Sequence, residues 1–285
     1  MLKLKFALTT LSFALAFGLA ASQEVTQPPE IIQKISPELA YADVILNPNI
    51  KEGIQSIAAR IAHRETVEET WKMRGHFRPG TTALFTGPSG TGKTFSAEAM
   101  ANDLGVELLY LDLSLLATGY IGETEKNLAR LFDGATATGA VLFFDEADAL
   151  FGKRTQVQSS NDRFANLEVS YLLQRIETHP GLVIMSTNRS VDIDSAFRRR
   201  FDFIIDFVFP DANQRLQIWR RAFSSETPLS ADVDFEVLAE RFELTHADIH
   251  AIALYAAYNA ADLGSDVTMA MITQAVRRRT RLSER

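Results

Sequence analysis

A glycine-rich stretch near residue 90 carries the clearest chemical signal in the chain. It fits the pattern G-x-x-x-x-G-K-[ST] with Gly87, Pro88, Ser89, Gly90, Thr91, Gly92, Lys93 and Thr94. Glycines let backbone N–H groups curl around phosphate oxygens, and a helix that begins there adds the positive end of its dipole. In this pattern the lysine reaches the β- and γ-phosphates and the hydroxyl of Thr94 binds Mg²⁺. The stretch therefore predicts a site for Mg²⁺ and a nucleoside triphosphate.

Two adjacent carboxylates follow the apolar run Val141–Phe144. Asp145 suits the oxygen shell of Mg²⁺, and Glu146 suits the positioning and polarising of an attacking water. A solvated acidic turn is the alternative for such a pair taken alone. Together with the upstream phosphate loop, the pair favours hydrolysis over phosphoryl transfer to a small molecule, which needs no glutamate for water.

An aromatic and an aliphatic residue, Tyr120 and Ile121, lie between two glycines just before a helical pattern. Glycines allow a loop to move, and an exposed tyrosine can grip another chain through its amphipathic ring. A buried tyrosine in an ordinary turn is the alternative.

Further polar side chains follow later strands. Asn188 comes at the end of an apolar strand, where its amide could touch the γ-phosphate or the water, or could simply be a loop residue. Three consecutive arginines follow at Arg198, Arg199 and Arg200. They form either a solvated face or an arginine finger that enters the nucleotide site of a neighbouring subunit.

The elements that must position these side chains alternate between strands and helices. The predicted strands are Thr82–Thr86, Glu107–Asp112, Val141–Phe144, Leu182–Ser186 and Phe203–Phe207. Beyond Pro210 only helical patterns remain. The alternation predicts an α/β fold, an αβα sandwich around a central parallel sheet with a phosphate loop, followed by a small all-helical lid domain.

The predicted organisation has three parts. Residues 1–40 are an apolar N-terminal segment and a linker, residues 41–209 a large nucleotide-binding domain, and residues 210–285 the helical lid. The run Phe6–Ala21 follows two lysines and precedes small residues, which is the layout of a secretory signal. A membrane anchor and a buried or partner-facing helix are the alternatives, and Gln23–Pro37 is predicted to be a linker.

Composition excludes several function classes. The chain of 285 residues carries 29 Lys and Arg against 36 Asp and Glu, a formal net charge of −7, which argues against coating nucleic acid. Its lack of cysteine excludes disulfides, thiolate metal sites and cysteine nucleophiles. The five histidines show no metal-ligand spacing.

The ordered set of these motifs resembles the AAA+ ATPases, above all the AAA clade and its bacterial single-module members, from about Asn47 to the C-terminus. The resemblance implies ATP and Mg²⁺ as ligands and ATP hydrolysis as the activity. It implies that Asn188 is the first sensor, that Arg199 and Arg200 are the arginine-finger pair, and that Tyr120 and Ile121 form a central-pore loop that grips a polypeptide.

Other positions match less well. Asp43 and Val44–Leu46 look like the segment that borders the adenine in relatives. At Arg198 relatives commonly have an aliphatic residue, which leaves open which arginine acts in trans. His246 stands where relatives often have glycine, which by this resemblance puts it near the adenine or ribose, and no lid arginine is clearly placed as a second sensor.

The function expected from the resemblance is the remodelling or unfolding of a protein substrate by a homo-oligomeric ring, expected to be a hexamer. A nucleotide-dependent scaffold or chaperone for a partner enzyme, without threading, is the alternative. A DNA-loading ATPase is weaker because the chain is acidic. The expected compartment is the cytoplasm, where ATP is found, with the N-terminus as a helix or an uncleaved membrane tether; export is the alternative.

Overall fold

The structure is a computed structural model, and it describes residues 32–38, 40–41, 44–73, 78–114, 123–148, 170–188 and 195–283. These residues all lie in one compact unit. The predicted loop residues Tyr120 and Ile121, together with Asp43 and the run Phe6–Ala21, lie outside the described residues. Within the described ranges, no helix is both long and apolar enough to cross a bilayer.

The described residues build a six-stranded sheet with the order β1-β3-β4-β5-β2-β6. Its strands are β1 (Ile32–Ile35), β2 (Thr81–Thr86), β3 (Leu108–Asp112), β4 (Val141–Asp145), β5 (Leu182–Thr187) and β6 (Phe203–Asp206). All neighbouring pairs are parallel except β1 with β3. The predicted fold class is confirmed, because a parallel sheet flanked by helices precedes a helical domain.

Helices cover both faces of the sheet. They are α1 (Pro48–Glu65), α2 (Lys93–Asp103), α3 (Glu123–Thr138), α4 (170–178) and α5 (Ser195–Arg198). A π-helical turn, Thr66–Thr70, extends α1. Consecutive residues of a strand pack on opposite faces of the sheet. Phe85 packs in one buried cluster with Ile57 of α1, and Leu84 packs in the other buried cluster with Phe132 of α3. Every residue of β2 and β5 is buried, as expected for central parallel strands.

Strand β1 was not predicted, since its residues fall in the segment interpreted as a linker. It pairs antiparallel with β3, with Ile32 opposite Leu111 and Ile35 opposite Leu108. Only four residues long, with Gln33 and Lys34 exposed between two isoleucines, it carries a weak strand pattern. The linker reading therefore does not hold for residues 32–35.

The helical domain consists of α6 (Ala212–Ala222), α7 (Phe235–Arg241), α8 (His246–Leu263) and α9 (Met269–Ser283). Capping boxes start α6 at Asp211 and α8 at Thr245, where the cap side chain and the third helical residue exchange hydrogen bonds. The core of this domain is built around the fully buried Trp219. Ile45, which precedes α1 in the chain, packs in the same core.

Candidate functional site

The carboxyl ends of β2, β4 and β5 meet at one edge of the sheet, where the phosphate loop, the Asp145–Glu146 pair and Asn188 lie. Backbone shape in the phosphate loop depends on glycine: Gly87 has a φ of 127° and Gly92 a φ of 102°. A Cβ on Gly87 would lie 1.9 Å from the carbonyl oxygen of Phe207, so no other residue fits there. Gly92 caps the 11-residue helix α2, whose first N–H groups and dipole favour an anion.

Lys93 lies buried inside this loop, with 7% of its surface exposed. Its Nζ donates to the carbonyl oxygens of Gly87 at 2.6 Å and Pro88 at 2.9 Å, and to Oδ1 of Asn188 at 3.0 Å. Burial lowers the pKa of Lys93, and the carboxylates that follow β4 oppose that shift. The ammonium group is therefore held at the mouth of the loop, where it can meet phosphate oxygens.

Three neighbours hold the carboxylate of Asp145. It accepts hydrogen bonds from the hydroxyl of Ser186 on β5, from Oη of Tyr110 on β3 at 3.3 Å, and from the backbone N of Glu146 at 2.9 Å. Burial raises the pKa of Tyr110 to about 12, with the charge of Asp145 adding to the shift, so the tyrosine hydroxyl stays a donor.

Glu146 takes the left-handed backbone conformation, with a φ of 53°, that is uncommon for a non-glycine residue. Its two carboxylate oxygens accept from Nδ2 of Asn188 at 3.2 and 3.3 Å. Burial raises the pKa of Glu146, and the negative charges of Asp145 and Asp148 raise it further, whereas the bond from Asn188 lowers it. A carboxylate with a raised pKa is a better proton acceptor.

No role was predicted for Asp148 or Tyr110. Asp148 accepts from the hydroxyl of Thr187 and, at 3.4 Å, from the backbone N of Asn188, and so it ties the end of β5 to the end of β4. The signal for Asp148 was its place two residues after Glu146. Tyr110 gave no signal, because its contact depends on the register between two strands.

A cleft of about 160 Å³ connects these groups. Ser89, Thr94, Asp145, Glu146, Asn188 and His246 line it. Thr91 instead bonds within the loop, from its Oγ1 to the carbonyl oxygen of Pro88 at 2.8 Å. No group of three or more acidic or histidine side chains within the described residues could hold a metal by itself. Thr94 and Asp145 on one cleft fit Mg²⁺, which is usually bound by one or two carboxylates plus phosphate.

A second cavity of about 390 Å³, the base cavity, adjoins the cleft and shares four lining residues with it: Gly92, Phe95, His246 and Ala247. Its walls include Val44, Ile45, Phe95, Ile218 and Ala247. The predicted border segment Val44–Leu46 therefore contributes two of its residues. A larger cavity of about 450 Å³ lies in the helical domain, but it lacks the convergent charged groups of the cleft.

The three arginines lie away from this edge of the sheet, at the end of α5 and in the turn that follows it. The side chain of Arg200 pairs with Glu177, and its carbonyl oxygen accepts from Oγ1 of Thr82 at 3.1 Å. Thr82 is near the amino end of β2, about 13 Å along the strand from Thr86, where the phosphate loop begins. Arg198 and Arg199 are exposed. The arginines are thus near the opposite end of the strand from the chain's own phosphate loop.

Comparisons with known proteins follow the same division of the chain. Residues 83–209 match the family described as "ATPase family associated with various cellular activities (AAA)". The chain belongs to the AAA+ ATPases. This confirms the family predicted from the motifs, a family of ATP hydrolases. Residues 211–282 match the domain described as "Contractile injection system ATPase helical domain".

Curated relatives are longer than this AAA+ chain. It is 30% identical over 239 residues to the cell division cycle protein 48 homolog of Archaeoglobus fulgidus, covering 82% of this chain and 32% of that protein. It is 31% identical over 279 residues to the ATP-dependent zinc metalloprotease FtsH 3 of Sphaerobacter thermophilus, covering 94% of this chain and 56% of that protein.

Solved structures share the fold of this AAA+ chain. The FIGL-1 AAA domain superposes with a TM-score of 0.69 at 24% identity, over 87% of this chain and 86% of that domain. The same domain in complex with ADP gives a TM-score of 0.69 at 23% identity, over 87% of each chain.

Proposed function

We propose that this chain binds ATP with Mg²⁺ and hydrolyses it in the cleft at the ends of β2, β4 and β5. The observation that carries the proposal is the position of Asn188. Its Oδ1 accepts from Lys93 at 3.0 Å while its Nδ2 donates to Glu146 at 3.2 Å. The amide of Asn188 therefore bonds both to Lys93, which contacts phosphate in this proposal, and to Glu146, which activates water.

Each group has a defined task in this reaction. Lys93 and the backbone N–H groups at the start of α2 bind and orient the phosphates. Glu146 accepts a hydrogen bond from the attacking water and aligns it, helped by a pKa that burial raises. Mg²⁺, held by Thr94 and Asp145, supplies positive charge that neutralises the phosphate oxygens.

The arginine finger of each ATP site comes from a second copy of the chain. The carbonyl oxygen of Arg200 contacts Thr82, which lies about 13 Å along β2 from Thr86 at the start of the phosphate loop. Arg199 and Arg200 therefore lie near the opposite end of that strand from their own phosphate loop. Arg200 is held by Glu177 in the same chain, whereas the exposed side chain of Arg199 has no hydrogen bond or ion pair with other described residues. Arg199 therefore acts in trans, Arg200 supports it, and activity requires a homo-oligomer, which we propose is a hexamer.

The hydrolysis drives work on a protein. Tyr120 and Ile121 grip the polypeptide, which the ring unfolds or remodels. The match of residues 211–282 to the helical domain of contractile injection system ATPases supports a protein partner from an assembly of that kind. A chaperone or scaffold of a partner enzyme that does not thread its substrate is the second candidate. The Tyr120→Ala variant separates the two functions, since only threading requires the aromatic side chain of Tyr120.

We place the activity in the cytoplasm, with the N-terminus as the candidate membrane tether.

Glu146→Gln tests the central step. The amide keeps the size of the side chain but cannot accept a proton, so ATP binding is retained while phosphate release falls by at least about 100-fold. The exposed Glu240→Gln on α7 is the matched control and turns over like the wild type. Unchanged turnover in Glu146→Gln would remove Glu146 from its role.

A further inference from the structure

His246 makes a hydrogen bond that joins the two domains beside the cleft. It is the first residue of α8, directly after the cap Thr245, and belongs to the helical domain. Its Nε2 lies 2.6 Å from the carbonyl oxygen of Ile45, which is 201 residues earlier in the chain. Ile45 lines the base cavity, so the bond fixes one wall of that cavity to the helical domain.

The bond determines which ring nitrogen carries the proton. A carbonyl oxygen only accepts, so Nε2 must donate and Nδ1 is left with a lone pair. Burial lowers the pKa of His246, which favours this neutral ring. Nδ1 is itself buried and has no donor among the described residues. A buried acceptor without a donor destabilises a fold, so stability alone does not account for a histidine here.

The same turn of α8 also contacts the phosphate loop. The backbone N of Ala247 donates to the carbonyl oxygen of Gly90 at 3.3 Å. Oγ1 of Thr245 lies 2.7 Å from where a Cβ on Gly90 would be. Three consecutive residues of the helical domain therefore contact both parts of the proposed nucleotide site, and the side chain of His246 makes the hydrogen bond to the wall of the base cavity.

We propose that His246 is a positioning residue that holds Ile45 against the helical domain and thereby sets the affinity for the base of an adenine nucleotide, rather than for its phosphates. This inference rests on the proposed function. Both residues line the cleft and the base cavity, but their hydrogen bonds differ: the bond to Ile45 in the wall of the base cavity belongs to the side chain of His246, and the bond to Gly90 in the phosphate loop belongs to the backbone of Ala247. Loss of the imidazole therefore weakens binding of the base and leaves phosphate binding in place.

Calorimetric titration of the full chain with Mg-ADP and with Mg-pyrophosphate, which has no base, tests this role. In His246→Ala the affinity for ADP falls about fivefold to tenfold, the effect of one lost hydrogen bond of about 1 kcal/mol, while the affinity for pyrophosphate stays within about twofold. His246→Gln keeps a donor at the end of a longer side chain and restores ADP binding, whereas the shorter His246→Asn does not. In ATPase assays KM rises by the factor seen for ADP, and kcat changes less than about twofold.

A matched control removes a histidine from elsewhere. His63→Ala, in the exposed last turn of α1, binds both ligands like the wild type. An equal loss of ADP and pyrophosphate affinity in His246→Ala, an ADP affinity equal to the wild type, or a failure of His246→Gln to restore binding each overturns the inference. If His246→Ala does not fold, the comparison of the Gln and Asn variants decides in the same way. A wild type that binds neither ligand overturns the proposed function as well, which separates the two failures.

Discussion

Tyr110 and Asp145 are joined across two neighbouring strands by a hydrogen bond of 3.3 Å from the phenol to the carboxylate. Tyr110 lies opposite Phe143 in the parallel pairing of β3 with β4, so Asp145 is two residues further along on the same face. The phenol thus fixes one oxygen of the carboxylate proposed to hold Mg²⁺.

Removing that hydroxyl should weaken magnesium binding. In Tyr110→Phe we expect the Mg²⁺ concentration for half-maximal ATPase activity to rise about threefold to tenfold, because Asp145 loses one of the donors that orient it. A magnesium titration at saturating ATP measures the change. Tyr255→Phe removes a hydroxyl that bonds Arg278 in the helical domain and leaves the titration unchanged. Equal curves for Tyr110→Phe and the wild type would contradict the assignment.

The amide of Asn188 should set the acid limb of the activity profile. Its bond to Glu146 lowers the pKa of that carboxylate against the effects of burial and charge. In Asn188→Ala the pKa of Glu146 therefore rises, and because Glu146 must be ionised to act, the activity lost on acidification is lost at a higher pH than in the wild type. We expect kcat to fall about 10-fold to 100-fold as well, since the water is less well oriented. If the acid limb of the pH–rate profile of Asn188→Ala is not shifted from that of the wild type, the bond from Asn188 does not determine the pKa of Glu146.

Mixing variants should reveal whether arginine acts between subunits. Arg199→Ala alone should lose about 1000-fold in turnover with ATP binding retained, as expected for an arginine finger. Glu146→Gln alone is also inactive, but it still carries Arg199. A mixture of the two recovers activity, because a subunit with an intact Glu146 can receive Arg199 from its neighbour. Arg198→Ala, at the adjacent exposed position, is the control; a mixture as inactive as its parts would rule out sharing of the site.

His179 should make the stability of the protein depend on pH. Its ring is buried against Phe132, and burial lowers its pKa from 6.5 to about 4, with the charge of Arg175 adding to the shift. Above pH 6.5 the ring is neutral in both the folded and unfolded states. As the pH falls below that value the unfolded chain binds the proton first, so the free energy of unfolding drops, by about 2 kcal/mol at pH 5.

Urea unfolding at pH 7.5 and pH 5 measures this effect. In His179→Leu the drop between the two values should be smaller than in the wild type by about 2 kcal/mol, because the variant has no ring to protonate. The difference between the proteins isolates His179 from the other titrating groups. Identical drops would show that the buried ring does not control stability in this range.

Much of the site could be predicted from the sequence because its residues are near one another in the chain. The phosphate loop is one contiguous motif, and Asp145, Glu146 and Asn188 each follow a long apolar run that identifies a buried strand. Parallel strands then bring their ends together without further information. The sequence also identified the helical domain, since the helical spacing of apolar residues beyond Pro210 is a local signal.

Contacts that depend on register or on distant residues could not be predicted. The bond from Tyr110 to Asp145 requires knowing that β3 pairs with β4 and at which residues. The bond from His246 to Ile45 joins residues 201 positions apart. Strand β1 was missed because a four-residue strand at a sheet edge, half polar, has almost no pattern of its own.

Gly87 touches the chain where it leaves the sheet for the helical domain. The backbone N of Phe207 donates to Thr86 at 2.7 Å, and the carbonyl of Phe207 occupies the space where a side chain on Gly87 would lie. The chain therefore enters the helical domain in direct backbone contact with the phosphate loop. Because no side-chain space separates the two residues, a displacement of the loop backbone at Gly87 would press directly on Phe207.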